Sequence, residues 1–203
     1  MAVRRLAPPE QQPKSFAFTA ENRAWAEKEI GKYPPGRQAS AIIALLWRAQ
    51  EQVGGWLPEA AIRAVADQLG LAHIRALEVA TFYTMFNLAP VGRTYVQLCG
   101  TTPCVLRGAE ALKAVCRRRI GEEQHVSTDG QFSWIEVECL GACVNAPVVQ
   151  INADYYEDLT AESFEQVLDA FAAGRALKPG PQIERQLSAP VGGPTTLKSF
   201  ERT

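Results

Sequence analysis

No apolar run in this chain is longer than seven residues, the stretch from Ala41 to Trp47. A helix that crosses a bilayer needs about 20, so direct membrane insertion is not expected. The N-terminus, Met-Ala-Val-Arg-Arg, gives way to Pro8, Pro9 and Pro13 without an apolar core segment, so a secretory signal is not expected either. Charge of one sign is also missing. With 21 basic and 22 acidic residues the formal net charge is −1, which gives no electrostatic case for a nucleic-acid partner. The one tight basic run, Arg117-Arg118-Arg119, suits a helix C-terminus, where cations meet the negative end of the dipole. There is no G-x-G-x-x-G and no P-loop pattern, so nucleotide binding is not assigned to this chain. Histidine is scarce: His73 reads as a helix-surface residue and His125 as a loop residue, neither catalytic. No pair of cysteines has the two-residue gap of a dithiol oxidoreductase.

What remains is an ordinary globular composition, 47% hydrophobic and 21% charged over 203 residues. That length suffices for one domain or two small ones, and no internal repeat is visible. Residues 1–18 are polar and proline-rich and read as a flexible arm. Residues 19–90 read as a helical bundle. Ile42, Leu46, Ala49 and Val53 share a helical face, and Gly54-Gly55 stops that helix. Pro58 can open the next, on which Ile62, Val65, Ala66 and Leu69 keep the same period. A further helix is predicted from about Ala72 to Met85, with Phe82-Tyr83 as core packing.

The pattern changes at Pro90-Val91-Gly92. Thr94–Leu98 reads as a strand. Thr102-Pro103 reads as a cap and first turn, before a buried stripe of Leu106, Ala109, Leu112 and Cys116. Phe132–Glu138 alternates, with Phe132, Trp134, Glu136 and Glu138 on one side. Val148–Ile151 and Asp154–Glu157 read as a hairpin turning at Asn152-Ala153. Thr160 can cap a last helix carrying Phe164, Val167, Leu168 and Phe171, ended by Gly174. A helix between the first two strands implies a right-handed crossover and parallel pairing. This order describes a small thioredoxin-like α/β domain over 91–175. Residues 176–203 hold four prolines and three glycines, a tail with no core of its own, disordered or laid along a partner.

Four of the five cysteines form two pairs, Cys99-x4-Cys104 and Cys139-x3-Cys143. Cys99 and Cys139 fall at the ends of two strands. If those strands are parallel neighbours, all four sulfurs emerge at one sheet edge. In a reducing compartment such thiols read as metal ligands rather than disulfides. Structural zinc also takes four thiolates, though its pairs are usually closer. Plant-type 2Fe-2S proteins use a four-residue gap. The Leu-Gly-Ala sequence between Cys139 and Cys143 lets backbone approach the metal. An oxidised two-iron cluster with four thiolates is already doubly negative. The helix start near Pro103 offers positive dipole to balance it, while Glu136 and Glu138 would oppose reduction if they face it. Cys116, mid-helix, reads as a packing residue.

The chain resembles the 24-kDa iron–sulfur subunit family of respiratory complex I, the E subunits of bacterial type-1 NADH:quinone oxidoreductase. The likeness rests on Gly-Gly-Trp-Leu-Pro at 54–58, Glu-Val-Ala-Thr-Phe-Tyr-Thr-Met-Phe at 78–86 and Pro-Val-Gly at 90–92. It rests above all on Cys-Gly-Thr-Thr-Pro-Cys at 99–104 and Glu-Cys-Leu-Gly-Ala-Cys-Val-Asn-Ala-Pro at 138–147, with Gly-Gly-Pro-Thr-Thr-Leu at 192–197 in the tail. The resemblance implies an N-terminal helical bundle, a thioredoxin-like 2Fe-2S ferredoxin domain and an extended partner-binding tail. It implies one 2Fe-2S cluster on Cys99, Cys104, Cys139 and Cys143, exchanging single electrons with the FMN of a flavin (FMN/NADH-binding) subunit. The chain would belong to the peripheral arm, on the cytoplasmic side of the bacterial inner membrane; the full-length tail and the lack of a long presequence favour a bacterial complex I. It would not turn over NADH alone. NAD-linked hydrogenases and formate dehydrogenases share the module. A zinc-stapled interaction module is the competing reading from another class.

Overall fold

The computed structural model describes residues 4–185 and Thr196. Two compact units divide the chain, one of residues up to Tyr95 with Gln124–Ser133, the other of Val96–Glu123 with Trp134 onward.

The first unit holds four helices, α1 (Ala20–Ile30), α2 (Ile42–Val53), α3 (Glu59–Gln68) and α4 (His73–Phe82). Thr19 caps α1 by accepting a hydrogen bond from the Asn22 N–H. Gly54 closes α2 at φ +92°, a left-handed conformation that glycine takes without a Cβ penalty. The buried face of α2 is Leu45, Leu46, Ala49 and Gln50, turned by about one residue from the expected stripe. Gln50 is buried because its amide is satisfied twice. It donates to Met85 O (3.1 Å) and accepts from Asn87 N–H (2.7 Å). Ile62, Val65 and Ala66 of α3 lie in the same core, as expected. Each such large apolar side chain contributes about 1.5–3 kcal/mol on full burial. The segment before α1 lies against this unit. Ala7 N–H donates to Leu88 O, and Arg4 donates to the carbonyls of Ala80, Thr81, Tyr83 and Phe86.

Three readings of this unit are corrected. Helix α4 stops at Phe82 rather than running to Met85. The pair Phe82-Tyr83 is not core: Phe82 is 76% exposed, and Phe86 is the buried ring. Adjacent residues at a helix end cannot both face inward. His73, expected at the surface, is half-buried, and its Nε2 is buried without a partner.

Among the described residues the sheet has five strands, β1 (Thr94–Cys99), β2 (Phe132–Val137), β3 (Val149–Ile151), β4 (Asp154–Glu157) and β5 (Gly180–Pro181), in the order β2-β1-β3-β4-β5. Thr94 N–H donates to Gln131 O at one end of the β1–β2 pair, and Gly100 N–H to Val137 O at the other. The two strands therefore run the same way, as the crossover argument required. β1 pairs antiparallel with β3 (Val96 opposite Ile151), and β3 and β4 form the expected hairpin, with Asn152 at φ +54°. The parallel strand β5 was not expected.

Between β1 and β2 lie α5 (Thr102–Leu106) and α6 (Ala109–Arg119), and α7 (Ala161–Ala172) follows the hairpin. The single helix read through Leu106 is thus two. Gly108, at φ +108°, breaks it, and Leu106 is 80% exposed rather than part of the stripe. Ala109, Leu112 and Cys116 are buried as expected, with Trp134, Ile151 and Phe164 among the largest buried side chains. Arg117–Arg119 form the last turn of α6, as expected. Thr160 and Ser163 cap α7 reciprocally: Thr160 Oγ1 accepts from Ser163 N–H, and Ser163 Oγ accepts from Thr160 N–H.

Candidate metal centre

Parallel pairing puts the C-terminal ends of β1 and β2 at one sheet edge. Cys99 is the last residue of β1, and Cys139 lies two residues beyond β2. Cys104 sits in α5, and Cys143 opens the 3-10 turn Cys143–Asn145. All four belong to the second unit.

The sulfurs meet as two pairs. Cys139 Sγ and Cys143 Sγ are 3.4 Å apart, and the Cys104 thiol hydrogen-bonds to Cys99. Thr101 and Leu140 tie the pairs together. The Thr101 hydroxyl lies 3.3 Å from Cys99 Sγ and also reaches Cys139, while Leu140 N–H donates to Cys99. Gly141, at φ +83°, turns its N–H onto Cys139 Sγ at 3.4 Å. Cys99 and Cys104 are buried, and Cys139 and Cys143 are exposed. The site therefore runs from the core to the surface.

Thr101, not Thr102, is the N-cap of α5, and its side chain makes no capping bond. The hydroxyl goes to sulfur instead. The expected helix dipole beside Cys104 is correspondingly weak, because α5 has only five residues. Donors from loop backbone replace it.

Ionisation follows these contacts. Burial opposes a thiolate at Cys99, but the hydrogen bonds from Thr101 and Leu140 outweigh it and lower its pKa. Burial and the neighbouring Cys99 push Cys104 up to about 11. Gly141 N–H lowers Cys139, and hydrogen bonding to Cys139 raises Cys143. Within each pair one thiol is thus shifted towards the thiolate and its neighbour away from it, and binding of a metal requires that all four lose their protons. Cys116 is different: deep burial raises it to about 12, and it packs on α6 as an inert residue.

Four thiols arranged as two pairs at one sheet edge suit a two-iron cluster, in which each iron takes two protein ligands. The donor set and the N–H groups aimed at sulfur fit that group.

Of the two acidic residues that could oppose reduction, Glu136 is neutralised. Its Oε2 accepts from Lys113 Nζ at 2.8 Å, and Lys113 also pairs with Glu110 at 2.7 Å. Sequence reading missed Thr101, Lys113 and Arg185. Arg185 makes a bidentate pair with buried Asp158 (2.9 and 2.7 Å) and donates to Val144 O at 3.4 Å, beside Cys143. A Glu110–Lys113 spacing of three on a helix was the one visible signal among them.

Comparison with known proteins decides the family. A model of the thioredoxin-like 2Fe-2S ferredoxin matches residues 26–172. The chain belongs to that family. It is 58% identical, over 99% of its length and 74% of the relative's, to the E 1 subunit of NADH-quinone oxidoreductase from Rhizobium meliloti (strain 1021). Against the E subunit of NADH-quinone oxidoreductase from Rickettsia bellii (strain RML369-C) it is 55% identical over 76% of this chain and 93% of that one. A crystal structure of an NAD+-reducing NiFe-hydrogenase in its H2-reduced state superposes with a TM-score of 0.58 at 19% identity, over 66% of this chain and 22% of that one. That likeness is one of fold. The cofactor of this ferredoxin-family chain is one 2Fe-2S cluster.

Proposed function

We propose that this chain is the small electron-carrying iron–sulfur subunit of an NADH-quinone oxidoreductase, with Cys99, Cys104, Cys139 and Cys143 as ligands of its cluster. One observation carries the ligand assignment: two thiol pairs, one buried and one exposed, tied at a single sheet edge by Thr101 and Leu140. When bound, the cluster supplies a one-electron carrier. The chain's own residues do the rest. The buried pair anchors the site in the core. The N–H groups of Thr101, Leu140 and Gly141 and the Thr101 hydroxyl stabilise negative charge on sulfur. The exposed pair leaves one side open to a redox partner.

That partner, in this reading, is the flavin subunit of the complex. Single electrons pass between its FMN and this site as NADH is oxidised. The 58% identity to an E subunit of NADH-quinone oxidoreductase supports the respiratory assignment. Among the described residues no helix is long and apolar enough to cross a membrane. We place the chain at the periphery of the complex, on the cytoplasmic side of the inner membrane. We further propose that an arm at 1–18 leads into a helical bundle of 19–90 and then the ferredoxin domain of 91–175, and that 176–203 docks on the partner. Most of that tail, 186–195 and 197–203, lies outside the described residues.

Anaerobic purification with metal, sulfide and spin quantification tests the reading. It expects iron and acid-labile sulfide in equal amounts, and one EPR-active spin per chain after dithionite. One zinc per chain and no signal would replace it with the zinc-stapled module. Co-purification of FMN with the complex from native membranes tests the partner.

A further inference from the structure

Lys113 is a lysine in the wrong place for a surface cation. It lies on α6 with only 7% of its surface exposed, in a unit whose other buried residues are mostly apolar. Burial lowers the pKa of an ammonium group, yet the Glu110 and Glu136 carboxylates outweigh that effect and leave it above the usual lysine value. Lys113 is therefore a fixed positive charge.

Its partner Glu136 is equally specific in position. A Cβ built on Gly100 would fall 1.8 Å from Glu136 Oε1 and 2.5 Å from its carboxyl carbon. Glycine at 100 thus lets the carboxylate lie directly against the backbone between Cys99 and Thr101. The Glu136 carboxylate, on a side chain 39% exposed, lies against the one residue between Cys99 and Thr101, with Lys113 Nζ on its other oxygen at 2.8 Å. Glu136 also has its N–H bound by Glu123 Oε1 at 2.8 Å, which fixes the strand end that carries it.

We propose that Lys113 and Glu136 are a built-in charge pair that sets the reduction potential of the cluster through the Gly100 backbone, acting as positioning residues rather than ligands. Reduction adds one electron, supplied by the flavin or by dithionite, to a site that is already negative, converting one ferric ion to ferrous. A carboxylate against the Gly100 backbone opposes that step, and the buried ammonium, shared with Glu110, offsets it. Removing either charge alone must then move the potential in opposite directions. A purely structural role predicts no such sign. The inference rests on Cys99 being a cluster ligand.

The test is an EPR-monitored redox titration of the intact chain, with iron and spin counted in each variant. At an ambient potential near the wild-type midpoint, Glu136→Gln is expected to raise the reduced-to-oxidised ratio at least about threefold, and Lys113→Gln to lower it by a similar factor. The double variant returns toward wild type, and Lys113→Arg keeps the wild-type value. Shifts of the same sign, or no shift with full cluster occupancy, overturn the proposal. Should Lys113→Gln not fold, the isosteric Glu136→Gln and charge-keeping Lys113→Arg decide it by the same criteria. A wild-type chain that holds zinc instead sinks the ligand reading, and this inference with it. A clustered wild type with unmoved variants sinks the inference alone.

Discussion

Thr101 brings one hydroxyl within reach of two sulfurs, Cys99 and Cys139. Hydrogen bonds to sulfur favour the more negative, reduced state of an iron–sulfur site. Thr101→Val keeps the shape and removes the donor. It should lower the midpoint potential while leaving iron content unchanged, as read by redox titration; an unmoved midpoint would show that the backbone donors alone suffice. The cysteines divide by environment. Cys104→Ala removes a buried member of one pair and should abolish the cluster signal. Cys116→Ala only leaves a small cavity in α6, at a cost of about 1 kcal/mol, and should keep full signal. A full-intensity spectrum from Cys104→Ala would refute the ligand set. The four ligand candidates were legible because chemistry-bearing residues at fixed spacing announce themselves. Thr101 and Lys113 were not, because a threonine or lysine acquires meaning only from what the fold sets beside it.

At the scale of elements, β1, β2 and the hairpin could be read from alternation and turn residues, and α7 from its cap. The errors share a cause. Leu106 looked like part of an α-helical stripe because periodicity extends through any apolar residue in phase. Gly108 in a left-handed conformation resets that phase. β5 was invisible, since two residues carry no periodicity and its pairing with β4 is purely tertiary. That short strand matters. It delivers Arg185 to Asp158, and Asp158 N–H is bonded to Asn145 O in the loop that carries Cys143. The Arg185–Asp158 pair is bidentate and its carboxylate is buried, so it is stronger than an exposed ion pair. Arg185→Gln should loosen that loop and speed cluster loss to a chelator several-fold, followed by bleaching of visible absorbance. Deletion of 186–203 should not. Equal rates for Arg185→Gln and wild type would remove the latch. The contrast also refines any truncation aimed at docking. A cut at 180 removes β5 and Arg185 together with the tail, whereas a cut after Arg185 tests the tail alone.

At the scale of the whole molecule, the chain has two compact units, and the cysteines sit in only one of them. The first unit closes its core with Leu45, Leu46, Ile62, Val65 and Phe86. In the second, two loops at one sheet edge present four thiols, two of them buried and two exposed. A ligand that binds only the folded state adds stability to the elements that form its site. Removing the cluster should therefore weaken one unit and spare the other. Amide hydrogen exchange on holo and chelated protein measures this directly. Protection should fall in 99–106 and 137–149 and at the β1–β2 pair, and it should stay within about twofold of the holo value across α2 and α3. A uniform loss of protection over both units would mean that the cluster governs folding of the entire chain. No loss at all would mean that the cysteine edge is held by Thr101, Leu140 and the Arg185–Asp158 pair without help from iron.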